Sequence, residues 1–204
     1  MQTEWNKKIK IIFQKLNLPV DVDFPQTEPW ELLTLLEESL RISEDTIEGE
    51  VDNQVIIEDY VYIEKGAKIK APCRIKGPLY LGSDSVIGPF ANIRGPVIID
   101  NNCVIGSTEV KNSILFSGSH AEHHSYIGDS LIGRDVNIGA GCVLANLRLD
   151  KEEIVIKKDA KKYPTGREKF GAVLEDNVSL GANCVLNPGV YLEEGKKVYP
   201  GKII

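Results

Sequence analysis

Nine aliphatic residues, Ile57, Ile63, Ile69, Ile75, Leu81, Ile87, Ile93, Ile99 and Ile105, follow one another at a constant spacing of six. A small or medium residue recurs two places earlier, as in Val61, Ala67, Cys73, Ser85 and Ala91, and Gly often follows the aliphatic, as in Leu81-Gly82 and Ile87-Gly88. A helix needs apolar spacing near 3.6 and an amphipathic strand a period of two, so neither accounts for the run. Six residues at about 3.3 Å each span roughly 20 Å, enough for a short flat strand and a turn. Three such sides close a triangular coil whose aliphatics point inward and stack on their counterparts one coil away. The pattern predicts an all-β fold, a parallel β-helix of hexapeptide repeats. Gly, Asn and Asp supply the backbone conformations of its corners.

The run is interrupted twice. Lys111 occupies an expected inward slot after Ile105, and Ile132, Ile138 and Leu144 resume the spacing in a shifted register. An inserted loop at about 147–171 then precedes Leu174, Leu180, Leu186, Leu192, Val198 and Ile204. Regular coils carry the scaffold, so a functional site is expected at the interruptions.

Residues 46–204 thus form the β-helix domain, and residues 1–45 stand outside the repeat. Trp5, Ile9, Ile12, Phe13 and Leu16 have helical spacing, and Thr27 with Pro29 opens a second helix carrying Leu32, Leu33, Leu36 and Leu40. Residues 17–26 between them read as a connector. The segment is expected to cap the open end of the β-helix and shield its strand edges; the alternative is a docking surface for another protein.

A chain of 204 residues with 42% hydrophobic content can bury one sizeable core. Its net charge of -6 argues against nucleic acid as a partner, and no stretch is long and apolar enough to cross a membrane. Met1 to Leu16 alternates charged with apolar residues, unlike a signal peptide, so a cytoplasmic location is expected. Cys73, Cys103, Cys142 and Cys184 each sit two residues before an inward aliphatic, which makes them packing residues rather than disulfide, nucleophile or zinc ligands.

Polar groups gather around the first interruption. Lys111, a residue near Tyr126, and Asn146 are separated by near-coil lengths and can line one vertical groove, with Arg94 lying 17 residues before Lys111. Arg, Lys, Tyr, His and two Asn together suit an anionic, hydroxyl-rich ligand such as a sugar phosphate.

The run His123-His-Ser-Tyr126-Ile-Gly-Asp-Ser, then Asn137-Ile-Gly-Ala140-Gly, then Ala145-Asn146-Leu-Arg-Leu-Asp150 resembles the acetyltransferase domain of bifunctional sugar-1-phosphate nucleotidyltransferase/amino-sugar-1-phosphate acetyltransferases. The resemblance covers roughly residues 45–204, without the nucleotidyltransferase domain, and Pro29-Trp30-Glu31-Leu32-Leu33 resembles that domain's tail. It implies a left-handed β-helix and an acetyl-CoA-dependent N-acetyltransferase acting on an amino-sugar phosphate such as glucosamine- or galactosamine-1-phosphate. On the matching positions His123 would be the general base for the sugar amine. Arg94, Lys111 and Tyr126 would grip the sugar phosphate, and Asn137 and Asn146 would orient the sugar and the amine. Ala140 and Ala182 lie where the family uses main-chain groups for the coenzyme A arm. A homotrimer with sites between neighbours is implied as well, and no metal is expected.

Plainer alternatives stand beside these roles. His123 can be an ordinary surface residue, Asn137 a corner Asn, and the basic insertion holding Lys157, Lys158, Lys161 and Lys162 a solvated excursion. Relatives carry a Lys six residues after the second Asn, whereas Glu152 stands there with Lys151 one place earlier. A γ-type carbonic anhydrase needs three separated metal-binding His, but His120, His123 and His124 share one short segment. The remaining alternative is a non-catalytic β-helix assembly or regulatory subunit.

Overall fold

The computed structural model describes residues 2–18 and 28–204. The connector from residue 19 on, and Thr27, lie outside the described residues. The chain winds into a left-handed β-helix of about eight turns. Each turn contributes a short strand to three faces in the order A, B, C. Face A is the parallel ladder Ile47, Ile63, Leu81, Ile99, Leu115, Ile132, Leu174, Leu192. Face B runs Val51, Ile69, Ile87, Ile105, Ala121, Ile138, Leu180, Val198. Face C runs Ile57, Ile75, Ile93, Val110, Ile127, Leu144, Leu186. Most of these side chains stack inside the prism in one core with Cys73, Cys103, Cys142 and Cys184. The four thiols are free and buried, and burial pushes the Cys103 thiol up to about 12.

The first interruption is a shortening of the coil. Val110, not Lys111, points inward after Ile105, and Leu115, Ala121, Ile127 and Ile132 continue the stack. On face C the register steps from Ile93 to Val110, Ile127 and Leu144, 17 residues each, where earlier coils step by 18. A side of five residues still supplies one inward aliphatic, so the core continues while the corner moves forward. Lys111 therefore does not replace an inward residue; it stands beside the corner between faces C and A.

At the corner between faces A and B the backbone repeatedly enters the left-handed region. Asp84 (φ 59°), Asn102 (57°), Asp135 (54°) and Asn177 (62°) take it, residues whose short polar side chains tolerate that conformation, with Gly118 (76°) in the coil between Asn102 and Asp135.

The N-terminal segment does not cap an end. Helix α1 (Gln2–Lys15) and helix α2 (Glu31–Ser39) lie along face A, whose outward residues Tyr80, Ile98, Ile114, Leu131 and Val173 are apolar and fully buried beneath them. Inward Val51, Val55 and Ile57 of the first coil remain only half-buried, as an uncovered end requires. An apolar sheet face must be covered by another layer, and the helices satisfy that need over several coils at once. Trp5 stacks on Phe116 at 4.8 Å between ring centroids, and Trp30 packs on Tyr163 at 5.2 Å.

Polar anchors follow α1 down the same face. Lys15 bonds Glu64, Lys8 lies 3.0 Å from Asp100, and the Trp5 indole donates to Asp176 at 3.1 Å. Burial would raise the Asp176 carboxyl, but hydrogen bonds from the Arg134 backbone, its guanidinium and Trp5 outweigh it and hold the group below the usual carboxylate range. Glu64 is likewise held low, burial again being outweighed, by Lys15 and Tyr80. A carboxyl depressed by folding contributes stability above its unfolded pKa, and that stability is lost as pH falls through the folded value. Thermal unfolding followed by circular dichroism should show the midpoint falling as pH drops below about 4.5. Asp176→Asn should start lower and fall less steeply; a fall as steep as in the unaltered protein would remove Asp176 from the account.

The insertion leaves the prism at the corner between faces C and A. It contains an antiparallel hairpin, Val155–Lys158 with Lys161–Pro164, and its Ile154, Ile156 and Phe170 are buried with the helices against face A. The expectation of a solvated loop fails because these apolar residues join the same layer. Lys157, Lys161 and Lys162 stay exposed near the hairpin tip.

Candidate functional site

Two groups of polar residues bracket face C. The first follows from the 17-residue coils, which pair Lys111 with Arg94 on one side and Gly128 on the other. Arg94 donates to Glu109 at 2.8 Å. Tyr126 is half-buried one coil on, with its ring over Gly128: a Cβ there would come within 2.6 Å of the phenolic oxygen. Burial, with Asp129 and Glu109 nearby, raises the Tyr126 phenol, and a hydrogen bond with Asn146 opposes the shift. Asn146 reaches this place because the insertion begins at the adjoining corner.

At that corner stands Asp129, which no spacing in the sequence singles out. Its carboxylate is 2% exposed and accepts from Lys111 Nζ at 3.1 and 2.9 Å, from Asn112 Nδ2 at 2.7 Å and from Asn146 Nδ2. Asn112 also donates to Glu37 of α2, and Arg167 of the insertion grips both oxygens of Glu37 and donates to Thr34 at 3.1 Å. A cleft of about 330 Å³ opens here, lined by Glu37, Lys111, Asp129, Arg167, Glu168 and Lys169. The side chains of α2 and the insertion thus reach the candidate site, a convergence of segments far apart in sequence.

The second group lies on the opposite corner, between faces B and C. His123 is exposed there, with its carbonyl accepting from Gly141 N–H at 2.9 Å. The carbonyl of Ala140 accepts from Asn183 N–H at 2.7 Å, and that of Ala182 from Gly201 N–H at 2.8 Å. His123, Ala140 and Ala182 therefore form one column along the prism edge, in which Ala140 and Ala182 present only small side chains. His124 takes a left-handed conformation (φ 49°), and its Nδ1 lies 3.3 Å from Ser107 Oγ. Asn137 stands apart, exposed on face B between His120 and Ser179. Arg94, Lys111, Tyr126 and Asn146 are thus gathered at one place, His123, Ala140 and Ala182 at another, and Asn137 joins neither. Among the described residues no cluster of His, Cys, Asp or Glu is placed to hold a metal ion.

The family model for the GMPPB C-terminal domain matches residues 75–161. The chain is 36% identical over 181 residues to a bifunctional sugar-1-phosphate nucleotidylyltransferase/acetyltransferase of Sulfurisphaera tokodaii, covering 87% of this chain and 45% of that protein. It is 39% identical to the bifunctional protein GlmU of Methanococcus vannielii over 79% of this chain and 39% of the relative. Over most of its length this chain is similar to part of the GlmU-type bifunctional proteins. The GlmU likeness extends to Thermodesulfovibrio yellowstonii, at 37% identity over 73% of this chain and 28% of that protein. The chain spans less than half the length of these GlmU-type relatives, matching their C-terminal half. No helix among the described residues is long and apolar enough to cross a membrane.

Proposed function

We propose that the chain is an acetyl-CoA-dependent N-acetyltransferase acting on an amino-sugar phosphate, with glucosamine-1-phosphate and galactosamine-1-phosphate the first candidates. The observation that carries this reading is the joint placement of Arg94, Lys111, Tyr126 and Asn146 in neighbouring coils, with Lys111 and Asn146 on the buried Asp129 carboxylate and Arg94 on Glu109. Two cations and a phenol suit a phosphate, and amides suit hydroxyl and amine groups. The name of the Sulfurisphaera relative, which couples sugar-1-phosphate chemistry with acetyl transfer, supports the same substrate class.

Acetyl-CoA supplies the activated acetyl group as co-substrate. His123 would take the proton released as the substrate amine attacks, a role open to an exposed imidazole that bonds no other side chain among the described residues. The small side chains of Ala140 and Ala182 leave room along this edge for the extended arm of the coenzyme, and exposed Lys196, Lys197 and Lys202 near the same end suit its phosphates. His123 and Lys111 lie toward opposite corners of face C, so a site using both is best completed between chains. We accordingly read the working form as a homotrimer.

The test is free-thiol release from acetyl-CoA by the purified chain across a panel of amino-sugar phosphates and their unphosphorylated counterparts. Turnover confined to phosphorylated amino sugars is the expected result. Acetyl transfer without regard to the phosphate would overturn the substrate class, and no turnover on any amine would favour a non-catalytic assembly subunit.

A further inference from the structure

We propose that Asp129 is a positioning residue of this site: its buried carboxylate aims the Lys111 ammonium and decides which end of the Asn146 amide faces the substrate. The inference rests on the acetyltransferase reading above and assigns the site a residue that does not itself touch substrate.

The backbone that carries the carboxylate is held from both sides. Asp129 N–H donates to the Lys111 carbonyl at 2.8 Å, and Gly171 N–H donates to the Asp129 carbonyl at 2.8 Å, so the corner is pinned between the coil before it and the coil after the insertion. The turn itself does not need this side chain. Asp59 and Gly189 take the equivalent corner with the same left-handed backbone (φ 63° and 84°), and Asp59 is exposed there. A buried charge carries a desolvation cost that an apolar or absent side chain would avoid. Its place at Asp129, 2% exposed, therefore points to what it organises.

A carboxylate only accepts hydrogen bonds. The amide groups that meet it must present Nδ2, as Asn112 and Asn146 both do. For Asn146 the consequence is that Oδ1 turns away from Asp129 as an acceptor for an N–H donor, which is what a substrate amine offers. Lys111 uses one direction of its ammonium on Asp129 and keeps its remaining N–H groups for an anion. Beyond them, Glu37 and Arg167 close over Asn112 and shield the carboxylate from water. One acidic side chain thus orders a cation for the phosphate and an acceptor for the amine.

The experiment is a double-mutant cycle between Asp129→Asn and Lys111→Met, read as KM and kcat for glucosamine-1-phosphate acetylation with thermal unfolding measured in parallel. Asp129→Asn should raise KM about tenfold in the otherwise unaltered chain and clearly less once Lys111 is Met, where only its hold on Asn146 remains to be lost, the signature of coupled groups. Asp129→Glu, which keeps the charge, should recover part of the loss, and it carries the cycle if the Asn variant unfolds. Equal KM effects in both backgrounds would overturn the proposal. If the unaltered chain turns over no amine, the same cycle is run on equilibrium binding of glucosamine-1-phosphate. Coupled binding without turnover overturns the acetyltransferase reading alone, whereas uncoupled or absent binding overturns the role of Asp129.

Discussion

Replacing His123 with alanine should lower kcat for acetyl transfer about 10²–10⁴-fold, the range a positioned general base contributes. The substitution is a clean one. The imidazole is exposed and has no hydrogen-bond partner among the described residues, while the backbone carbonyl that Gly141 and Ser125 use survives in alanine. Stability should therefore change by no more than about 0.5 kcal/mol, as at ordinary surface positions. A large loss of rate at unchanged unfolding midpoint would tie the loss to chemistry. Turnover equal to that of the unaltered protein would remove His123 from the mechanism, leaving its neighbours His120 and His124 to be examined in the same assay.

The largest structural effect is expected at Trp5. Its side chain is 1% exposed, stacked on Phe116 and bonded through its indole N–H to Asp176. Truncation to alanine should cost about 3–5 kcal/mol, the range for removing a buried aromatic. For a chain of this size that corresponds to a fall of roughly 6–20 °C in the unfolding midpoint. Trp5→Phe keeps most of the stack and loses the hydrogen bond, so its cost should be nearer 1 kcal/mol. Ile11 of the same helix is 47% exposed and serves as the control. If Trp5→Ala destabilises no more than Ile11→Ala, the helix does not contribute to folding as its packing implies.

The prism was legible in the sequence because its core obeys a strict local period: each inward aliphatic lies near a multiple of six from the last, so no long-range information is needed. The cysteine positions were legible for the same reason. The placement of α1 and α2 was not predicted, yet it had a signal. On face A the residues just before the inward aliphatics, Tyr62, Tyr80, Ile98, Ile114, Leu131, Val173 and Tyr191, are large and mostly apolar without a break, whereas on face C Arg74, Asn92 and Glu109 interrupt Ile56, Tyr126, Val143 and Val185. A face apolar on its outside must be covered. The nature of the break at Lys111 is ambiguous in the sequence, because a register shift through a five-residue side and a lost inward residue look alike until the strands are paired.

Asp129 had no such signal. It falls inside the run from His123 to Ser130 that carries the family resemblance, but its own role does not show there, and only the folded chain brings Lys111, Asn112 and Asn146 to it. The same holds for Glu37 and Arg167, which come from segments that the hexad pattern does not reach. Local periodicity encodes the scaffold, while the site depends on what the short coils and the insertion place beside one another.

A solenoid whose coils touch only their neighbours is free to unravel from either end, coil by coil, since each interface adds its stability separately. Helix α1 breaks that independence. Its Lys15, Lys8 and Trp5 are fastened to Glu64, Asp100, Phe116 and Asp176, groups that belong to separate coils along the length of the prism. Loosening one strapped coil strains a tie shared by the others, so the coils from Glu64 to Asp176 should melt in a single cooperative step and exchange their amide hydrogens at similar rates, while the first coil, which holds none of these anchors, should exchange faster.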